Sequence, residues 1–228
     1  MSNNRLMTYA FNADRKLVHI DSVNGLQCKC FCPGCGESLI AKNEGKIKQH
    51  HFAHKYEGEC TSGYMTMVHM LAEAIIFNNG LIPCPWGASK AVKVGTEIRI
   101  EELNIIPDIF AYVSVIVMNQ AQCSIPVIVE IYVTHKVDDE KLGIIQKAGI
   151  PAVEIDLSKV EFTTIENLTQ EIYNTKNWKV LNSKVSPNFL PQRAIKIPLS
   201  YLRSLFPRYP QQGYQRNQKT YSRYRRRH

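Results

Sequence analysis

The chain has 228 residues, 44% of them hydrophobic and 21% charged, with seven cysteines, seven histidines and a formal net charge of +8. That length supports one substantial core plus a small satellite module. No run approaches the roughly 20 apolar residues of a membrane-spanning helix, and the polar start lacks a signal-peptide apolar region, so a soluble, cytoplasmic protein with no membrane partner is expected. The charge is uneven: Gln192 to His228 holds ten Lys/Arg and no Asp or Glu, which leaves −2 for everything before it.

In chain order, a strand is expected around Leu17 to Ile20, with a turn at Asn24-Gly25. A Cys/His-rich window follows and ends near Cys60. Val68, Leu71, Ala72 and Ile75 recur at helical spacing and predict a helix over Tyr64 to Asn78, stopped by Asn79-Gly80. Beyond a Pro/Gly loop, β-branched runs predict strands at Thr96 to Leu103, Ile109 to Met118 and Ile125 to Thr134. Asp138 to Ala148 reads as a helix capped by Asp138 and ended by Gly149, Pro151 to Leu157 as a strand, and Thr163 to Asn174 as an amphipathic helix. Helix, three strands, helix, strand, helix suits an α/β fold with a mixed sheet flanked by helices. The expected divisions are residues 1–62 for N-terminal strands and the Cys/His module, 63–182 for the α/β domain and 183–228 for a basic tail of doubtful order.

Five cysteines (Cys28, Cys30, Cys32, Cys35, Cys60) sit in one window beside three histidines, which in a reducing compartment favours metal over disulfides. Cys32-Pro-Gly-Cys35-Gly36 has the form of a zinc knuckle, in which two thiolates two residues apart take adjacent tetrahedral positions. The second pair of ligands comes from His50, His51, His54 and Cys60, with room between the halves for a hairpin through Gly45. Cys32, Cys35, His54 and Cys60 are the chosen set, and His51 competes with His54. Four protein ligands leave no open position, so this zinc is structural. Cys28 and Cys30, alternating with Cys32 along one strand face, read as buried thiols outside the metal set.

Asp108 begins the second strand of the α/β domain, and Glu130 lies within the apolar run of the third. A buried unpaired carboxylate is costly, so Glu130 must be exposed, paired or bound to metal. Two carboxylates on neighbouring strands can converge on Mg²⁺, which takes oxygen ligands and activates water toward phosphodiesters. The plainer alternative has Asp108 capping a turn and Glu130 facing solvent. His69 and Glu73 share a helix face one turn apart, an arrangement that also suits a solvated face or a helix-packing contact. Glu154 and Asp156 read as strand-end polar groups.

CPGCG, HHFAH with Cys60, the helix bearing His69 and Leu71, the PD dipeptide, VEIYVTHKVDDEKL and IPAVEIDLS together resemble the competence protein CoiA-like family, over about Leu26 to Ser158. The resemblance implies a zinc-finger element joined to a nuclease domain of the PD-(D/E)XK restriction-endonuclease superfamily. Asp108 and Glu130 would then hold a catalytic Mg²⁺ or Mn²⁺, with Glu73 on the bordering helix contributing to the metal or His69 contacting substrate. The superfamily expects Lys two residues after the strand carboxylate, where this chain has Tyr132. Lys141 on the next helix is the better substitute and Lys136 the other, while His135 is a candidate base pointing the opposite way from Glu130.

In the tail, Tyr201, Phe206, Tyr209, Tyr214, Tyr221 and Tyr224 are interleaved with Arg203, Arg208, Arg216, Lys219 and Arg223, and the chain closes on Arg225, Arg226 and Arg227. Arginine pairs with phosphate and tyrosine stacks on bases, a composition for nucleic-acid binding, DNA above all. The expected function is a metal-dependent DNA-processing nuclease. The alternatives are an inactive nucleic-acid-binding module of the same fold, marked by Tyr132, and a zinc-stabilised adaptor with a protein partner in an assembly for DNA uptake, recombination or phage defence.

Overall fold

A computed structural model describes residues 6–56, 60, 62–117, 121–162 and 164–186. The chain divides into two compact units, one running through Met70 and the other starting at Leu71. The division falls inside a continuous helix.

The first unit carries a five-stranded antiparallel sheet of β1 (Tyr9–Phe11), β2 (Leu17–His19), β3 (Cys30–Phe31), β4 (Ser38–Lys42) and β5 (His51–His54), in the order β2-β1-β3-β4-β5. These strands are short, and the apolar residues they bury are few: Ala10, Phe11, Cys30, Leu39, Ala41 and Phe52. So small a core is insufficient without a cross-link or metal staple. The anticipated strand near Leu17 is present, but Ile20 opens a 3-10 turn, Ile20–Ser22. Cys28, Cys30 and Cys32 do not share a strand face. Cys28 ends a 3-10 turn (Gly25–Cys28), Lys29 is left-handed at φ 45°, and Cys28 is joined to Cys30 by a disulfide.

The second unit is built around a six-stranded sheet. Helix α1 (Gly63–Asn79) leads through the division, followed by β6 (Leu81–Ile82), β7 (Ser89–Thr96), β8 (Ile109–Val117), β9 (Ala121–Tyr132), α2 (Asp139–Ala148), β10 (Ala152–Asp156), α3 (Ile165–Tyr173) and β11 (Trp178–Asn182). The strand order is β11-β10-β9-β8-β7-β6. Among the described strands only β9 and β10, which flank α2 in the chain, pair in parallel. The mixed α/β class read from the sequence is the class observed.

One strand was misplaced. The run expected at Thr96 to Leu103 is where β7 stops: Glu97 turns at φ 50°, Asn104 at φ 54°, and Ile100 bridges to Ile105 across the turn. The isoleucines there pack into the core as anchors of a loop. The true strand, Ser89–Thr96, buries only Gly95 fully and carries Lys90 and Lys93, so its apolar signal is weak. Strand β11 was missed for the same reason, since it buries only its last two residues.

The strands at the centre are buried on both faces. Phe110, Tyr112, Ile128 and Ala152 meet Ile145 of α2, together with Ile150 and Leu181. The alternate positions Ile109, Ala111, Val127, Val129, Val153 and Ile155 are completely buried. Near-continuous apolar runs are what such strands require. Helix α2 starts where the Asp138 side chain accepts the Lys141 amide and ends where Gly149 adopts φ 64°. Helix α3 starts on the Thr164 hydroxyl, which accepts the Asn167 amide.

Gly149 faces the backbone after β11, where an added Cβ would lie 2.9 Å from Ser186 Cβ and 3.1 Å from Ser186 N. Gly80 is also left-handed, at φ 59°, but opens onto empty space. Gly80→Ala is expected to cost about 1–2 kcal/mol from backbone conformation alone. Gly149→Ala should cost clearly more, read as a larger drop in the urea midpoint.

Candidate functional site

In the first unit, Cys32, Cys35, His54 and Cys60 each offer a ligand atom, all within 4.8 Å of one another. Cys32 Sγ lies 3.6 Å from Cys60 Sγ, and Cys35 Sγ lies 3.3 Å from His54 Nε2. A tetrahedral zinc with ordinary bond lengths separates two sulfurs by about 3.8 Å and a sulfur from a nitrogen by about 3.6 Å. The donor set and its spacing therefore fit zinc, and this Cys₃His cluster can bind it. The local chain explains the gathering. Cys32 N donates to the Glu37 carbonyl and Gly36 N to the Cys32 carbonyl, closing the knuckle, while β5 carries His54 opposite Leu39 of β4.

His51 is turned away, with Nδ1 3.0 Å from the Gln49 carbonyl. His50 is engaged by Asp21 and Gly45. Burial pushes the Cys32 thiol up to about 12, against the lowering effect of the Cys35 and Gly34 amides aimed at its sulfur. Burial likewise raises Cys35. Burial also opposes ionisation of Cys60, but Ser62, Cys35 and Cys32 hydrogen bonds together outweigh it and lower that thiol. Zinc must displace protons from these sulfurs, so acid favours the metal-free cluster.

The second group of functional candidates lies in the sheet unit. Asp108 and Glu130 are the next positions beyond the Ile109–Val129 pair of β8 and β9. Asp108 Oδ2 accepts the Ile131 amide at 2.6 Å, which fixes it beside β9. Glu130 is 5% exposed, so it does not face solvent. Lys141 Nζ lies 2.7 Å from each Glu130 oxygen and donates to the Ile106 carbonyl at 3.0 Å. The lysine reaches from the first turn of α2, whose start Asp138 fixes through the Lys141 amide. The buried carboxylate of Glu130 is tolerated because the partly exposed Lys141 ammonium supplies its countercharge.

Asp108 also lies near α1. His69, Glu73 and Asp108 each offer a ligand atom within 4.8 Å of the others. Glu73 is 0% exposed, which removes the reading of this helix face as a solvated edge. The sequence stripe was too narrow: Met67, Met70 and Ile76 are buried as well, so α1 is enclosed around most of its circumference.

Lys136 and His135 are exposed in the connection between β9 and α2. Lys136 Nζ sits 5.1 Å over the Tyr132 ring, a cation–π contact, while Lys141 is the lysine at Glu130. Arg203, Arg208, Arg216, Arg225, Arg226 and Arg227 lie outside the described residues.

Glu154 was undervalued. It stands at the centre of β10, not at its end, in register with Glu130, and is 2% exposed. Its Oε2 accepts the Val137 amide at 2.7 Å, and Lys179 Nζ lies 3.6 Å from Oε1. It thereby ties down the segment leading into α2, and with it the start of the helix that bears Lys141. A signal was available: Val129-Glu130-Ile131 and Val153-Glu154-Ile155 repeat one pattern, and parallel pairing puts the two side by side.

Purified protein is expected to hold one zinc per chain. Cys35→Ser, Cys60→Ser and His54→Ala should each lose it in elemental analysis, and His51→Ala should keep it. Gly63→Ala should also release zinc, because its Cβ would come within 2.8 Å of Cys32 Sγ and 3.4 Å of Cys60 Sγ.

No helix among the described residues is long and apolar enough to cross a membrane. Neither the curated proteins nor the solved structures contain a match to the chain. Residues 15–63 match the family model of the competence protein CoiA N-terminal domain, a span that contains all four cluster residues. Over that span the chain is similar to the CoiA N-terminal domain, and the match ends before the PD, VEIYVTHKVDDEKL and IPAVEIDLS motifs.

Proposed function

We propose that the chain is a metal-dependent nuclease that hydrolyses phosphodiester bonds in DNA, with the Cys₃His module as a structural zinc finger. The observation that carries this reading is the pairing of buried Glu130 with Lys141 beside Asp108, at the end of two central strands. A sheet interior gains nothing in packing from such groups, and positioned charges of this kind are typical of reaction centres. The competence-family match of the N-terminal module favours a DNA-related role.

Asp108 and Glu73 supply carboxylate oxygens and His69 an imidazole nitrogen, a donor set that fits a divalent ion. Imidazole shifts the preference from Mg²⁺ toward Mn²⁺. Such an ion, when bound, polarises the phosphate and lowers the pKa of water. Asp108 is held in place by the Ile131 amide. Glu130 holds the Lys141 ammonium in place, so that it can donate to a phosphate oxygen as negative charge develops there. In this reading Lys141, arriving from α2, does the work of the lysine that Tyr132 replaces.

A second reading, a DNA-binding module without catalysis, is favoured by Tyr132, whose ring is covered by Lys136.

Labelled single- and double-stranded DNA incubated with Mg²⁺, Mn²⁺ or EDTA distinguishes the two. Cleavage is expected with Mn²⁺ at least as fast as with Mg²⁺ and absent in EDTA. Asp108→Asn and Lys141→Met should each lower it by about 10²–10³-fold. Lys141→Met removes the cation at buried Glu130 and should cost about 3–5 kcal/mol of stability. Asp108→Asn retains an acceptor for the Ile131 amide and should unfold near the wild-type midpoint, so its loss of cleavage reports chemistry. DNA binding without cleavage under every metal condition would establish the second reading.

A further inference from the structure

The connection between β4 and β5, residues 43–50, serves neither the zinc cluster nor the carboxylate site. At its tip stands Lys46-Ile47-Lys48, with Ile47 99% exposed and both lysines exposed. The base of the loop is built. Asn43 Nδ2 donates to the carbonyls of Ile20 and Val23, at 2.8 and 2.5 Å. His50 bridges Asp21 Oδ1 at 2.6 Å and the Gly45 carbonyl at 3.0 Å. Two side chains thus brace the loop from both ends against the 3-10 turn that follows β2. A braced loop presents its tip in one place, so the apolar side chain there is held in water between two cations.

Charge identifies what fits it. Residues 63–191, which hold the carboxylate site, carry ten Lys/Arg against fourteen Asp/Glu, a net negative charge ill suited to attracting a polyanion. Residues 1–62 carry eight Lys/Arg against six Asp/Glu, and three of those lysines (Lys42, Lys46, Lys48) lie at or beside this loop, which also holds Glu44. Apolar side chains flanked by cations are the means by which proteins wedge between base steps while holding the adjoining phosphates.

We propose that the Lys46-Ile47-Lys48 loop is a duplex-DNA contact, with the two lysines on backbone phosphates and Ile47 inserted as a wedge at a base step. The proposal rests on DNA being the ligand of this protein and not on its being cut.

Full-length protein is titrated against duplex DNA containing 2-aminopurine, with Ca²⁺ in place of Mg²⁺ and Mn²⁺, over a range of salt. Wild type is expected to raise 2-aminopurine fluorescence as the step unstacks. Ile47→Ser should abolish that rise with the salt slope of binding unchanged. The Lys46→Ala/Lys48→Ala variant should bind at least tenfold more weakly, with the slope of log affinity against log salt reduced by about 1.8. Zinc content equal to wild type shows that the module is intact in both. Wild-type binding and fluorescence in all variants, as expected if the loop instead meets a protein, overturns the proposal, and so does absence of DNA binding by wild type. Loop-dependent binding without cleavage in Mn²⁺ upholds the loop and removes the nuclease reading. Cleavage with loop-independent binding does the reverse.

Discussion

The second unit depends on how a carboxylate survives inside a sheet buried on both faces. Glu130 sits in the strand that pairs with both β8 and β10, where the positions before and after it, Val129 and Ile131, are core. Its charge is tolerable because Lys141 reaches it from α2. That places demands on everything that sets α2. The helix must start at Asp138, the segment before it must be held by Glu154 through Val137, and the helix must be packed through Ile145 onto Ile128. One ion pair thus ties together a strand, a helix and the loop between them.

The first unit answers a different constraint. Its strands are two to five residues long and its buried apolar set is small, so hydrophobic burial cannot by itself hold the chain. The Cys₃His cluster closes a knuckle, a hairpin strand and Cys60 onto one point, which is the cross-link such a module lacks. The geometry around it leaves little slack: a Cβ at Gly34 would meet the Ser62 side chain and the Gly63 backbone, and one at Gly63 would meet Cys32. Glycine at both positions is therefore a packing requirement of the cluster.

Where the sequence was legible, it was because chemistry needs particular residue types at particular spacings. Cys32, Cys35, His54 and Cys60 were readable because zinc demands soft ligands at knuckle spacing. The helix at Asp138 was readable because its cap, its period and its terminal glycine agree. The strand placed at Thr96 to Leu103 failed because β-branched residues that anchor a loop look like those of a strand when no partner strand is known. Helix α1 was found but mistaken for a half-exposed one. Enclosure on several sides leaves no periodic signal to distinguish it from a surface helix with a wide stripe.

The sequence by itself determined the mixed α/β class and a Cys/His window able to bind zinc. Each follows from local pattern, since hydrophobic period and ligand spacing are properties of short stretches of chain. Only the tertiary structure decided that His54 and not His51 joins the cluster, and that Glu73 and Glu154 are buried. It also decided that Lys141, eleven residues from Glu130, and not Lys136, six residues away, stands at that carboxylate. The physical reason is the same each time. Burial and pairing depend on which strand lies beside which and where a helix starts over it, and those relations between distant residues leave no mark on local spacing.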